Sequence, residues 1–233
     1  MSENERERNL PENRLWQPTT VKWFYVVFGG CVAYAVVRYH IAGDVPWRHF
    51  PAFILNKATS LAAVIFIAAS YLIGKTIVWY DDDKRLRLVV IKFCGLMGFS
   101  LAAIHAVLAL SMWTPAYFAK YFDAVGRLNL QGEVAMAAGV VALFFLSSPA
   151  ITTLPMMPKA LGGQRWKRAQ RMGYVALILT AVHLVALGLK GWLKPQAWPW
   201  GMPSISLVAF VAAVIPLIVK RNLVYERRRR GLD

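Results

Sequence analysis

The apolar residues of this chain come in six long blocks, and that arrangement limits what it can fold into more than any other feature. They run over Val21–Ile41, Ile54–Ile73, Leu88–Trp113, Gly132–Leu154, Met172–Leu189 and Ser204–Val219. A helix needs about 20 apolar residues to cross the hydrocarbon core of a bilayer, and each block approaches that length. The composition agrees: 58% of the 233 residues are hydrophobic and 17% are charged, against about a quarter charged in soluble domains. Six spans and their short loops use nearly the whole chain. The expected architecture is therefore an all-α, six-helix membrane bundle over residues 21–219, with tails over 1–20 and 220–233. A soluble catalytic domain has no room.

The formal net charge of +15 is of the size found in nucleic-acid binders, but its distribution excludes that reading. Twenty of the 27 Lys and Arg fall in the N-terminal tail, in the gaps between spans two and three and between spans four and five, and in the C-terminal tail. The other face receives seven: Arg38, Arg48, Lys57, Lys120, Arg127, Lys190 and Lys194. The positive-inside rule then puts both termini in the cytoplasm, with anionic membrane lipid as the partner of the excess charge. No small-residue cleavage site follows the mixed-charge N-tail, so the first span reads as an uncleaved anchor. Cys31 and Cys94 lie inside spans one and three without framework spacing and read as packing residues.

Against this apolar background two histidines stand out. "YVALILTAVHLVALGL" (174–189) carries His183 in its middle, and span three carries His105. An ionisable residue in hydrocarbon is costly and marks a functional site by default. Spans three and five run in the same direction, and both histidines fall in the outer half at similar depth. Two neutral imidazoles facing each other across a bundle can ligate the iron of a haem from both sides; copper or zinc would also accept them. No Asp, Glu or Cys lies within a turn of either to complete a zinc shell. Aromatic Phe99 and small Ala102, Ala103, Ala106, Ala181 and Ala186 stand nearby, and small residues let a flat macrocycle approach the helix backbone. The plainer alternative is that each imidazole bonds a nearby hydroxyl, with Ser100, Ser111 and Thr180 available.

Span three reads "KFCGLMGFSLAAIHAVLAL", span four "GEVAMAAGVVALFFLSSPAIT", and the fifth is preceded by "LGGQRWKRAQRMGYVALILTAVHLV". Over Leu88 to Trp192 this order resembles the ferric reductase-like transmembrane domain family, in layout its small bacterial MsrQ-like, haem-bearing membrane subunits. The resemblance implies a membrane b-type haem protein of a bacterial inner membrane, with His105 and His183 as axial ligands of the iron. The family's further histidine, four residues after the tryptophan, is here Gln170, and Lys92 stands thirteen residues before His105. Thirteen helical residues span roughly 20 Å, so both lie near the inner interface. Amide and ammonium are poor iron ligands, which implies one haem b per chain rather than two.

The expected role is an electron-transfer subunit. Its donor would be a quinol or a cytosolic flavoprotein, and its acceptor a periplasmic protein or other outer-side acceptor. The alternative is a cofactor-free structural or assembly subunit of a larger membrane complex. Arg165, Lys167 and Arg168, in a basic segment beside Gly162 and Gly163, could hold the phosphate of a flavin (FMN or FAD), although the glycine pattern of a dinucleotide fold is absent. Asp81–Asp83 reads as a solvated loop neutralised by Lys84 and Arg85. Trp47, Trp198 and Trp200 read as interface anchors, and His40 and His49 as surface histidines. The terminal "YERRRR" reads as a lipid-facing anchor.

Overall fold

The computed structural model describes residues 15–73, 84–154 and 156–231. The expectations for the N-terminal tail up to residue 14 and for Asp81–Asp83 lie outside them. Among the described residues six helices are long and apolar enough to cross a membrane: α1 (Pro18–Val36), α2 (Ala52–Ile73), α3 (Lys84–Ser111), α4 (Leu130–Ile151), α5 (Met157–Trp192) and α6 (Ile205–Arg229). The chain is an integral membrane protein of the all-α class. Among the described residues, extended backbone pairs at one isolated bridge, Phe122 with Leu128, in the turn before α4.

Local chemistry accounts for where the helices begin. Pro18 opens α1 at a position whose N–H has no helical acceptor. Asn129 caps α4, its side-chain oxygen accepting from the Gly132 N–H at 3.0 Å, and Glu133 sits in the first turn where the helix dipole favours a negative charge. The Thr152 hydroxyl donates to the carbonyl of Ser148 and the Thr153 hydroxyl to that of Pro149, so the end of α4 leaves few orphaned acceptors. α1 passes directly into a π-helical turn, Val37–Ile41, which turns Arg38 and His40 inward.

Two elements extend well past their apolar blocks. α5 is interrupted only at Gly162, whose φ of 70° lies in the left-handed region, and is helical from there to Trp192. The basic segment holding Arg165, Lys167 and Arg168 is thus helix rather than loop. α6 runs through the basic tail to Arg229. Arg, Lys and Gln are good helix formers; apolarity marks where lipid lies, not where the helix must stop.

α2 is the centre of the bundle. In its apolar window 67% of residues are buried, against 17–33% in the other five spans. It packs on α1, α3 and α6, while α4 packs on α5, α5 on α6 and α3 on α4. The helices α2 to α6 therefore close a ring, with α1 outside it against α2. Gly98 lets α3 approach α2 closely, since a Cβ there would meet the Ile67 side chain at 2.6 Å and the Ile67 nitrogen at 2.9 Å. α1 is tied at the far end of the bundle from the termini: Tyr34 donates to Pro203 O (2.7 Å) and Arg38 Nε to Met202 O (2.9 Å). We call the end bearing the start of α1 and the close of α6 basal, and the opposite end distal.

Candidate functional site

Four helices of the ring, α2 to α5, enclose a cavity of about 280 Å³ toward the distal end. Both His105 and His183 line it. The topology brings together the two residues singled out by sequence and holds their rings in the same way. His105 Nδ1 lies 3.2 Å from the Asn56 carbonyl of α2, and His183 Nδ1 lies 2.6 Å from the Ala135 carbonyl of α4. A carbonyl can only accept, so each Nδ1 carries the proton and each Nε2 keeps its lone pair. Metal-ligating histidines are commonly oriented by such a bond. The hydroxyls of Ser100, Ser111 and Thr180 are not the partners.

These carbonyls belong to helices, so their use needs an opening. The lone pair of Ala135 that faces the ring is reached past the residue one turn later, which is Gly139. A Cβ at that position would come within 2.8 Å of His183 Nδ1 and 3.0 Å of Cε1. The glycine is the seat of the imidazole. On α2 the corresponding residue after Asn56 is Ser60, also small and also in the cavity wall. Of the small residues read near the histidines, Ala102 and Ala106 line the cavity, joined by Ala63, Gly139 and Ala142. Asn56, Ala135 and Gly139 were not visible to sequence reasoning, because a backbone acceptor carries no side-chain signature. Among the described residues no three His, Cys, Asp or Glu side chains cluster as a metal shell. Two imidazoles on one cavity, each with Nδ1 engaged by a carbonyl, a glycine cradle and a largely apolar wall fit a flat macrocycle.

A second cavity, about 320 Å³, lies basally between the same four helices. Here Gln170 and Lys92 stand in the lining with Tyr71, Thr152 and Trp166. The Gln170 amide donates to Thr152 Oγ1 (2.9 Å) and to Pro149 O (3.2 Å). Trp166 Nε1 donates to Thr152 O (3.0 Å), and the Tyr71 hydroxyl to Gln170 O (3.1 Å). The polar groups at this level are largely committed to one another. Ile67 and Leu146 line both cavities, so a single layer of side chains separates them. Arg165, Lys167 and Arg168 are exposed on the first turns of α5 and are not part of the lining.

The remaining histidines separate. His49 is half-buried, edge-on to Tyr117 with ring centroids 4.9 Å apart. His40 is not a surface residue: the π turn buries it to 6% exposure. Its Nδ1 meets the Val45 carbonyl at 2.8 Å and its ring stacks on Trp47 at 4.7 Å. Trp47 and Trp200 are largely exposed at this end, and Trp198 donates to Gly191 O. Cys31 and Cys94 are buried free thiols. Lys120, in the loop between α3 and α4, donates to Leu187 O at 3.1 Å, and partial burial lowers its pKa from the usual lysine value.

No model of a known protein family matches the chain. Its sequence is similar to Metalloreductase STEAP2 of Mus musculus, 23% identical over 203 residues that cover 74% of this chain and 41% of that protein. The human Metalloreductase STEAP2 is 24% identical over 196 residues, 73% of this chain and 40% of its own length. A stretch of 89 residues, 38% of the chain, is 30% identical to part of an uncharacterized protein of Treponema pallidum (strain Nichols). The chain spans about two fifths of the length of these metalloreductases. The likeness is distant, and nothing in it singles out the MsrQ-like branch.

Proposed function

We propose that the protein is a membrane electron-transfer subunit whose His105 and His183 hold one haem b per chain. The observation that carries this reading is the matched pair of imidazoles, each with Nδ1 engaged by a helix carbonyl and Nε2 free, on one apolar cavity. The named activity of the distant relatives, metalloreductase, belongs to the same class of chemistry. A haem held by two imidazoles supplies one-electron valence change and offers no open coordination position.

The chain's own residues then have defined tasks. Asn56 O and Ala135 O fix the tautomer and aim each ring, and Gly139 makes the space for one of them. The apolar wall excludes water, and Ile67 and Leu146 form the partition toward the basal cavity. That cavity is where the reducing ring of a donor would lodge, a quinol or a flavin. With a flavin, Arg165, Lys167 and Arg168 would meet its phosphate at the basal rim. The charge asymmetry of the loops supports a cytoplasmic basal end, with both termini inside, and the acceptor on the distal side. The small bacterial, inner-membrane MsrQ-like branch is the assignment we favour, on the layout of spans three to five.

The test is donor-specific reduction. Purified protein should be reduced by a short-chain quinol or by a flavin reductase with NADH, and should pass electrons to an added distal-side acceptor. Failure with both donors in a protein that binds haem would leave the cofactor a structural role. A preparation without haem from haem-sufficient cells would favour the structural or assembly subunit instead.

A further inference from the structure

Among the described residues, the distal wall of the imidazole cavity carries an indole donor without an acceptor, and two lysines without a carboxylate partner stand close to it. Trp113 lines the cavity, and its Nε1 is buried with no acceptor. The indole is held in place, stacked on Tyr121 (5.3 Å, 9° between planes) and against Phe118 (5.4 Å). Lys57 approaches the same Phe118 from α2. Its Nζ lies 5.1, 5.5 and 5.8 Å from the ring centroids of Phe53, Phe118 and Tyr39. On α2, Lys57 heads the helical stripe that continues through Ser60, Val64 and Ile67, all three in the cavity wall. Lys120 stands on the far side of the aromatic stack, 4.7 Å from the Tyr121 centroid.

Neither lysine meets a carboxylate among the described residues. Those residues include four, Asp44, Asp123, Glu133 and Glu226, and the ion pairs they form are with Arg127 and Arg230. The half-buried Lys57 keeps part of its stabilisation through the ring faces, but a half-buried cation with no anion, near a buried indole N–H with no acceptor, is an uncompensated arrangement. An anionic group entering the cavity would complete both.

Resting on the haem reading above, we propose that Lys57 and the Trp113 indole N–H clamp the carboxylate edge of the tetrapyrrole, with Lys120 at the rim. Haem b carries two propionates on one edge, and Lys57 and Lys120 stand beside the aromatic group that surrounds Trp113, at the distal end of this cavity. The clamp points that edge toward the distal face. Lys57 and Trp113 are positioning residues: they set the tilt of the ring and, through the added positive charge, favour the ferrous state.

The test uses the purified haem protein and the variants Lys57→Met, Lys57→Arg and Trp113→Phe, with exposed Lys194→Gln as control. Resonance Raman spectra read the propionate bending mode, and redox titration reads the ferrous-to-ferric ratio at a fixed ambient potential. Lys57→Met should shift the bending mode and move the ratio about tenfold toward ferric, which is 59 mV for a one-electron couple. Trp113→Phe, which keeps an aromatic ring in the stack but removes the N–H, should shift the mode and speed haem loss to an excess acceptor about tenfold. Lys57→Arg should restore the wild-type values, and Lys194→Gln should keep them. Should Lys57→Met fail to fold, Trp113→Phe and Lys57→Arg carry the test. An unchanged bending mode and ratio, in variants that stay low-spin, would overturn the clamp and leave the haem reading intact. A colourless wild-type protein would overturn both.

Discussion

The distal and basal cavities are built from the same four helices and have similar volumes, 280 and 320 Å³, yet their chemistry is opposite. In the distal cavity each polar ring has spent one nitrogen on a backbone carbonyl and kept the other free. In the basal cavity the Gln170 amide is spent on Thr152 and Pro149, and Trp166 closes on Thr152 as well. The first arrangement presents lone pairs to a ligand, whereas the second knits α2, α4 and α5 together and presents mainly shape. A ligand level in a helical bundle is made by what the side chains leave uncommitted, and polar residues alone do not make one.

Breaking the distal level should have the largest effect. His105→Ala and His183→Ala should each abolish bound haem, measured as absorbance per protein after purification, because one imidazole cannot give the six-coordinate iron. Next comes Gly139→Ala. Its methyl would lie 2.8 Å from His183 Nδ1, so the ring must turn off the Ala135 carbonyl. Losing such an orienting partner typically costs 10–100-fold in metal affinity, and haem-transfer kinetics should show a loss of that order.

The basal level should answer differently. Gln170→Ala should leave haem content unchanged while destabilising the protein by about 1–3 kcal/mol, since it takes from the buried Thr152 hydroxyl the donor that reaches it. Thermal unfolding followed beside the haem spectrum would separate the two outcomes, and loss of haem with unchanged stability would contradict the comparison. The smallest effect is expected from His49→Ala, a half-buried ring whose ring contact is the edge of Tyr117, which should stay within about 0.5 kcal/mol of wild type with a full haem complement.

How far this was readable in the sequence depends on what kind of group carries each feature. The six spans were legible because lipid demands contiguous apolarity. His105 and His183 were legible because an imidazole is conspicuous in such a block and the order of spans sets its depth. The carbonyls of Asn56 and Ala135 were not, since every residue has one and only the fold decides which is offered. Gly139 is one of 16 glycines and became informative only when a ring was found against it. The inward turn of His40 depends on a single π turn, which has no compositional mark. The reach of α5 and α6 beyond their apolar blocks was hidden for another reason: hydropathy reports the thickness of the lipid, while helix length also follows the propensity of the basic residues that continue it.

The central claim is that α3 and α5 hold one haem between two imidazoles while the basal cavity holds none. The most direct measurement is a pyridine haemochrome assay on purified protein, read together with the low-temperature electron paramagnetic resonance of the ferric form. The account predicts one haem b per chain and a single low-spin signal of bis-imidazole type, both absent from His105→Ala and from His183→Ala. Two haems per chain, a high-spin signal, or a haem that survives either substitution would contradict it.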